Sequence, residues 1–347
     1  MTTRPIYSIV APVYNEAGNI KLFYDEVKKA MDSTGEPWEL LMVNDGSQDG
    51  SLELMLELGQ TDERVKVINF ARNFGHQVAV TAGIDYASGK AVVLIDADLQ
   101  DPPAVIPELI AKWQDGFDVV YAVRSERKGE SFFKKLTAKL FYRAIHRITD
   151  INIPVDTGDF RLMDAKVASV LRQMREHHRF IRGMTSWVGF KQTGVEYVRE
   201  ERFWGETKYP FRKMLAFALD AVTSFSFFPL QIMIYISLTL AVLSLGVGVV
   251  ISILRITQGE EFFGGQATTI VLLLLMSSFQ LFFLFIIGQY VARTYDETRD
   301  RPLYVVASTV GLEPPHVASQ RIDSRQYIVA TTYGLSVDEQ QKESNDE

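Results

Sequence analysis

With 347 residues, 47% of them apolar, the chain is long enough to bury one sizeable core and to carry something beyond it. Its 43 acidic against 36 basic side chains, a formal charge of −7, argue against nucleic acid as a partner, and the lack of cysteine excludes disulfides and thiolate metal sites while leaving the redox compartment undetermined. No basic region followed by an apolar stretch opens the amino terminus, so no cleavable signal peptide is expected.

Ile6–Pro12 (IYSIVAP) reads as an apolar strand running into a Pro-Val-Tyr-Asn-Glu turn, with Asn19–Met31 following as an amphipathic helix. Leu40–Val43 is the next strand, closing on Asn44-Asp45-Gly46-Ser47 ahead of a helix over Ser51–Leu58. Val65–Phe70, a helix near Val78–Ala87 and the strand Ala91–Ile95 continue the rhythm. Strands alternating with helices predict an α/β fold with parallel pairing, covered on both faces.

That pattern sets Tyr14, Asn15 and Glu16, then Asn44 and Asp45, then Asp96 and Asp98, just past the carboxyl ends of successive strands. In open α/β sheets ligands bind at that edge. Alternation along a strand would put Asp96 and Asp98 on one face. Two carboxylates so placed suit a divalent cation and the diphosphate bound to it, because hard cations take oxygen ligands. An isolated Asp-x-Asp is as readily a solvated turn before a helix, and an isolated Asp-Gly-Ser an ordinary capped turn. Three acidic turns on one edge favour the binding reading.

Val119–Val123 is a further strand, followed by Arg124, Arg127 and Lys128. In Ser131–Ile148 apolar positions at helical spacing interleave with Lys134, Lys135, Lys139, Arg143 and Arg147. This fits a helix lying on an anionic membrane surface, or one packed on its own domain with a solvated basic face; the spans downstream favour the membrane. Asp156-Thr-Gly-Asp-Phe-Arg161 brings two further acids, Asp156 and Asp159. The adjacent His177 and His178 have no second cluster at ligand spacing and read as a surface helix end.

From Ala221 to Leu254, and again from Phe262 to Ala292, there is no charged residue. Each run exceeds the roughly 20 residues that cross a bilayer as a helix, so transmembrane helices are expected at 229–254 and 268–292. A juxtamembrane amphipathic helix at 208–228 would lead into the first. Arg212 and Lys213 precede the pair and Arg293, Arg299 and Arg301 follow it, which by the positive-inside rule places both termini in the cytoplasm. The domain over 1–207 and the tail over 293–347 are then cytoplasmic. Within the tail, Tyr304–Val310 and Tyr327–Tyr333 read as short strands that would pair between subunits of a homo-oligomer, and Ser336–Glu347 as acidic and disordered.

Taken together, Ala11-Pro-Val-Tyr-Asn-Glu16, Val43-Asn-Asp-Gly-Ser47, Arg72-Asn-Phe-Gly75 and Asp96-Ala-Asp-Leu-Gln-Asp-Pro102 resemble the successive motifs of family 2 glycosyltransferases. With the two carboxy-terminal spans, their order over about 5–295 is similar to that of the polyprenyl-phosphate glycosyltransferases, the bactoprenol glucosyltransferases and dolichol-phosphate mannose synthases. The Gln-x-x-Arg-Trp motif of processive polysaccharide synthases is missing.

The resemblance implies a Rossmann-like GT-A domain that inverts the anomeric centre of a nucleotide sugar as it passes the sugar to a polyprenyl phosphate. It assigns base and ribose to Pro12, Tyr14 and Glu16, base reading to Asp45, ribose and the metal side to Asp96, and the metal to Asp98 and Gln100. Mg²⁺ or Mn²⁺ would serve, since oxygen ligands do not separate them. Asp159, standing directly before Phe160-Arg161, is preferred to Asp156 as the acid beside the sugar. Arg202, Gly205, Thr207 and Lys208 match a basic loop that would close over pyrophosphate and lipid phosphate. Arg124 and Lys134 match basic positions for the acceptor phosphate, although a lysine where the family has arginine leaves Lys134 and Lys135 as alternatives. UDP-glucose with undecaprenyl phosphate is the favoured substrate pair and GDP-mannose with dolichyl phosphate the near alternative. A catalytically inactive membrane scaffold is the reading of another class. A separate flippase would be needed if the product is used outside.

Overall fold

The computed structural model describes residues 4–124, 157–198, 228–258 and 266–312. The helix expected at 131–148 with Lys134 and Lys135, Asp156, the loop bearing Arg202 and Lys208, the helix at 208–228 and the strand at 327–333 lie outside the described residues.

Eight strands form one sheet: β1 (Tyr7–Val13), β2 (Trp38–Asn44), β3 (Val65–Phe70), β4 (Ala91–Leu94), β5 (Val119–Arg124), β6 (Thr157–Asp164), β7 (Gln192–Tyr197) and β8 (Val306–Val310). Their order is β7-β5-β6-β4-β1-β2-β3-β8. The helices α1 (Ile20–Asp32), α2 (Ser51–Thr61), α3 (His76–Tyr86), α4 (Ile106–Gln114), α5 (Ala165–Gln173) and α6 (Ile181–Trp187) connect them. β1 and β2 pair in parallel from Tyr7↔Trp38 to Val13↔Asn44. Both are buried almost throughout, which is why they read as continuous apolar runs. Phe23, Val27 and Met31 of α1 and Met55 of α2 pack into the same core.

The sheet is mixed, not parallel throughout. β6 lies antiparallel between β4 and β5, and β8 lies antiparallel on β3. The first departure has a functional consequence. In an antiparallel pair the end of one strand adjoins the start of the next, and Val123 pairs with Thr157. The excursion over 125–156 therefore leaves and re-enters the sheet at the edge where β1 and β2 end. The second corrects the expectation that Tyr304–Val310 pairs between subunits: Val310 and Ser308 pair with Val67 and Asn69 of the same chain. β3 would otherwise present an open row of backbone donors and acceptors, and β8 covers it.

α3 crosses the sheet closely at Gly83, where an added Cβ would collide with Val10 Cγ1 and come within 3.1 Å of Val10 Cβ. Val10 is fully buried on a central strand and cannot yield. Gly83→Ala is expected to destabilise the domain by about 1–3 kcal/mol through overpacking, read as a lower denaturant midpoint, with Val10→Ala in the same chain recovering part of the loss.

Two long helices, α7 (Phe228–Gln258, 31 residues) and α8 (Gln266–Thr298, 33 residues), make up a second compact unit. They touch one another. Within α8, Leu275–Thr298 is 24 residues long and apolar enough to cross a membrane. Exposed Leu238, Val242, Leu281, Phe282 and Phe285 show that these helices turn large apolar side chains outward.

Candidate active site

Among the described residues, four loops follow the carboxyl ends of the parallel strands β1, β2, β3 and β4. Pro12, half-buried, lies near the end of β1, and the turn that follows carries Tyr14, exposed, and Glu16, half-buried. It is braced against the turn after β2. The Asn15 N–H donates to Ser47 Oγ at 3.0 Å, the Gln48 N–H to Asn15 Oδ1 at 2.8 Å, and the Glu16 N–H to Ser51 Oγ at 3.0 Å. Asn15 takes a φ of 56°, a left-handed conformation that asparagine tolerates better than most residues. Glu16 Oε2 accepts a 2.6 Å hydrogen bond from Asn19 Nδ2.

Asp45 is buried and ties the second turn to a third. Its carboxylate accepts the Phe74 N–H at 2.6 Å and the Gly75 N–H at 3.0 Å. Burial pushes its pKa above the ordinary value, against those two donors. Gly46, at φ 72°, lets the loops touch: a Cβ there would lie 2.6 Å from the Asn73 nitrogen. The turns after β1, β2 and β3 are thus tied to one another by hydrogen bonds.

β4 ends at Leu94, so Asp96 and Asp98 stand beyond the strand instead of alternating along it. They sit on a turn in which Leu99 has φ 60° and the Gln100 N–H donates to Asp98 Oδ1 at 3.1 Å. The side chain of Asp96 is one-third exposed and Asp98 is nearly buried. Burial pushes Asp96 up to about 6; His76 opposes this, while the negative charges of Asp159, Asp98 and Asp101 add to it.

His76, at the start of α3, lies between two of these acids. Its Nε2 is 3.1 Å from Asp159 Oδ2 and 3.7 Å from Asp96 Oδ1. Desolvation favours the neutral ring, but the hydrogen bond to Asp159 and the charges of Asp96 and Asp159 outweigh it and raise the pKa to about 9. Asp159, on β6, is buried and receives two further donors, Gln77 Nε2 at 2.9 Å and Arg182 Nε at 2.8 Å. Burial alone would raise its pKa; Arg182 and His76 overcome that and hold it well below the carboxylate range. Beneath it Arg161 is buried, donating to Gly158 O at 2.9 Å and to the Thr185 hydroxyl.

Pro12, Tyr14, Glu16, Asp45, Asp96, Asp98, Gln100, Arg124 and Asp159 all belong to the unit that contains the sheet. Sequence reasoning left out His76, Gln77 and Arg182. Arg182 follows closely on the His177 and His178 expected at a surface helix end, yet α5 stops at Gln173 and Arg182 lies on α6, which starts at Ile181. His177 lies in the connection between them, with its Nε2 2.8 Å from Arg301 O. One signal was present: a histidine directly after the Asn-Phe-Gly turn, where a helix begins.

Among the described residues no group of three His, Cys, Asp or Glu side chains forms a cage for a metal ion. Asp96 and Asp98 do fit a hard cation that completes its shell from diphosphate and water, as Mg²⁺ commonly does. Burial is the main cause that raises Asp96, and a cation would offset both that and the repulsion from Asp159, Asp98 and Asp101 that adds to it.

The sequence matches the glycosyl transferase family 2 description over residues 8–172, from β1 into α5. An uncharacterized glycosyltransferase, YkcC, of Bacillus subtilis strain 168 is 52% identical over 307 residues, 88% of this chain and 95% of its own length. The chain belongs to glycosyltransferase family 2. This family 2 glycosyltransferase is also 40% identical to a prophage bactoprenol glucosyl transferase homolog of Escherichia coli K12, across 86% of this chain and 97% of the relative. Among solved structures, the mannosyltransferase PcManGT from Pyrobaculum calidifontis in complex with GDP-Man and Mn2+ covers 63% of this chain and 61% of its own at 18% identity and a TM-score of 0.41.

Proposed function

We propose that this family 2 glycosyltransferase transfers glucose from UDP-glucose to undecaprenyl phosphate at the cytoplasmic face of a membrane. The observation that carries the reading is the reach of the similarity to the bactoprenol glucosyl transferase homolog: 299 aligned residues are more than the sheet unit contains. The relatedness therefore extends into the long apolar helices, which a soluble-acceptor enzyme would not need. On this reading α7 and α8 both span the bilayer, with the termini and the catalytic unit in the cytoplasm.

A phosphate oxygen of the lipid attacks the anomeric carbon, the bond between sugar and diphosphate breaks, and UDP leaves with inversion. Pro12, Tyr14, Glu16 and Asp45 hold the uridine on the braced loops, and Asp96 reaches the ribose. Asp96, Asp98 and Gln100 would hold a Mg²⁺ or Mn²⁺ ion, which when bound stabilises the charge of the departing diphosphate as a Lewis acid. Asp159 orients and does not accept a proton. It faces three donors and is held far below the range of a general base. The nucleophile needs little help, because a phosphate monoester with a second pKa near 6 is already ionised. Arg124 takes the acceptor phosphate together with Lys134 or Lys135, Arg202 and Lys208.

The test is direct. Purified full-length protein in lipid nanodiscs, given radiolabelled UDP-glucose, undecaprenyl phosphate and Mg²⁺ or Mn²⁺, is expected to form a labelled lipid, and a chelator to stop it. Label entering lipid only from GDP-mannose and dolichyl phosphate would overturn the substrate pair. No glycolipid from any nucleotide sugar, with nucleotide binding indifferent to chelator, would leave a membrane scaffold.

A further inference from the structure

Asp101, the last carboxylate of the Asp96–Asp101 turn, has no part in the mechanism above, yet it is 1% exposed. A carboxylate withdrawn from water is costly unless it is paired and hydrogen-bonded. Here the Tyr197 hydroxyl donates to Asp101 Oδ1, and Arg124 Nη2 lies 3.9 Å from the same oxygen. Arg124 Nε in turn donates to the Tyr197 hydroxyl at 3.3 Å. Arg124 and Tyr197 are register partners at the ends of the parallel strands β5 and β7. The Tyr197 ring is set by an edge contact with Phe160, at 5.9 Å between centroids and 85° between planes. Burial, then the charge of Asp101, push the Tyr197 pKa above its ordinary value, so the hydroxyl keeps its proton and remains a donor.

On its other side the guanidinium abuts Gly158 of β6. A Cβ there would lie 2.7 Å from Arg124 Nη2. The side chain of Arg124 is thus held by a carboxylate and a phenol beside a bare glycine, and is still 18% exposed at the carboxyl end of β5.

We infer that Tyr197 and Asp101 are positioning residues for Arg124, aiming its guanidinium at the phosphate of the lipid acceptor, and that residue 158 is glycine because the aimed side chain needs the space. The inference rests on the reading above in which Arg124 binds that phosphate. It ties the turn that carries the metal-side aspartates to the acceptor arginine through one buried carboxylate. A purely structural network would set stability alone; a positioning network sets acceptor affinity through Arg124.

Two substitutions separate these cases without dismantling the fold. Tyr197→Phe keeps the ring on Phe160 and removes the hydroxyl. Gly158→Ala collides with the far end of the flexible Arg124 side chain and meets Asp101 Oδ2 at an ordinary 3.7 Å, so the domain folds and the guanidinium moves. Steady-state transfer from radiolabelled UDP-glucose, with undecaprenyl phosphate varied in nanodiscs, is expected to show an acceptor KM raised about tenfold in each variant, the scale of losing one charge-assisted contact. The UDP-glucose KM should be unchanged, and Arg124→Ala should raise the acceptor KM at least as far. Adding Tyr197→Phe to Arg124→Ala should have no further effect, because the group being aimed is gone. If Arg124→Ala raises the acceptor KM while Tyr197→Phe and Gly158→Ala leave it unchanged, the positioning role is overturned and the reading of Arg124 stands. An unchanged acceptor KM in Arg124→Ala overturns both. A full additional penalty from Tyr197→Phe in the Arg124→Ala chain assigns the hydroxyl a structural role and overturns the inference.

Discussion

Asp98→Ala is expected to lower glucosyl transfer on the order of a thousandfold, the scale at which losing one preorganised stabiliser of developing charge acts. The residue has two jobs that the variant removes together. On the proposed reading it would offer a carboxylate to the cation that stabilises the departing diphosphate, and its Oδ1 accepts the Gln100 N–H at 3.1 Å, which shapes the turn. Asp98→Asn separates them. The amide oxygen still accepts from Gln100, so a loss caused by a misshapen turn would recover in Asn, whereas a loss caused by the missing charge would not. We expect Asn to be nearly as impaired as Ala. Both should bind the ion more weakly, read in a Mn²⁺ titration of transfer at saturating UDP-glucose. Asp98→Ala within tenfold of the parent protein, with an unaltered response to Mn²⁺, would remove Asp98 from the metal site.

How far the sequence could be read depends on which side chains solve their burial locally. β1 and β2 were legible because both faces are covered and the strands are apolar runs. The start of β2 was missed at Trp38 and Glu39, because Glu39 is buried by courtesy of distant groups: Ser88 donates to it at 2.8 Å and Lys66 Nζ lies 2.9 Å away. β6 was read as a motif and not as a strand for the same reason, since Asp159 and Arg161 interrupt Thr157–Asp164 and are paid for by α3 and α6. Antiparallel insertion of β6, and the choice of β3 as partner for β8, depend on which edges remain open after the central strands have paired, a property of the assembled sheet. The acidic turns at the carboxyl edge of the parallel strands were legible as a set. The groups that surround Asp159 were not, because His76 is 83 residues away from it and Arg182 is 23.

The second large effect concerns Asp159, and here stability and turnover should part. Asp159→Ala leaves the Arg182 guanidinium, the His76 ring and the Gln77 amide facing a small void without their shared acceptor. Removing one partner of a buried ion pair costs roughly 3–5 kcal/mol. The lower end applies, since about a quarter of the Arg182 side chain and 43% of that of His76 still reach water, and Arg182 keeps Thr157 O at 3.2 Å. We expect Tm, followed by tryptophan fluorescence, to fall by roughly 10 °C, with little turnover left once His76 and Arg182 drift. Asp159→Asn keeps the shape and one acceptor oxygen. If the residue orients its neighbours, that variant retains measurable transfer, because the lipid phosphate attacks already ionised. If the residue instead removed a proton, Asn would lose the 10²–10⁴-fold or so that general-base catalysis contributes, with donor binding intact. The ratio of Asn to Ala turnover in folded protein therefore decides between clamp and base, and the three donors converging on one buried carboxylate predict that it is large.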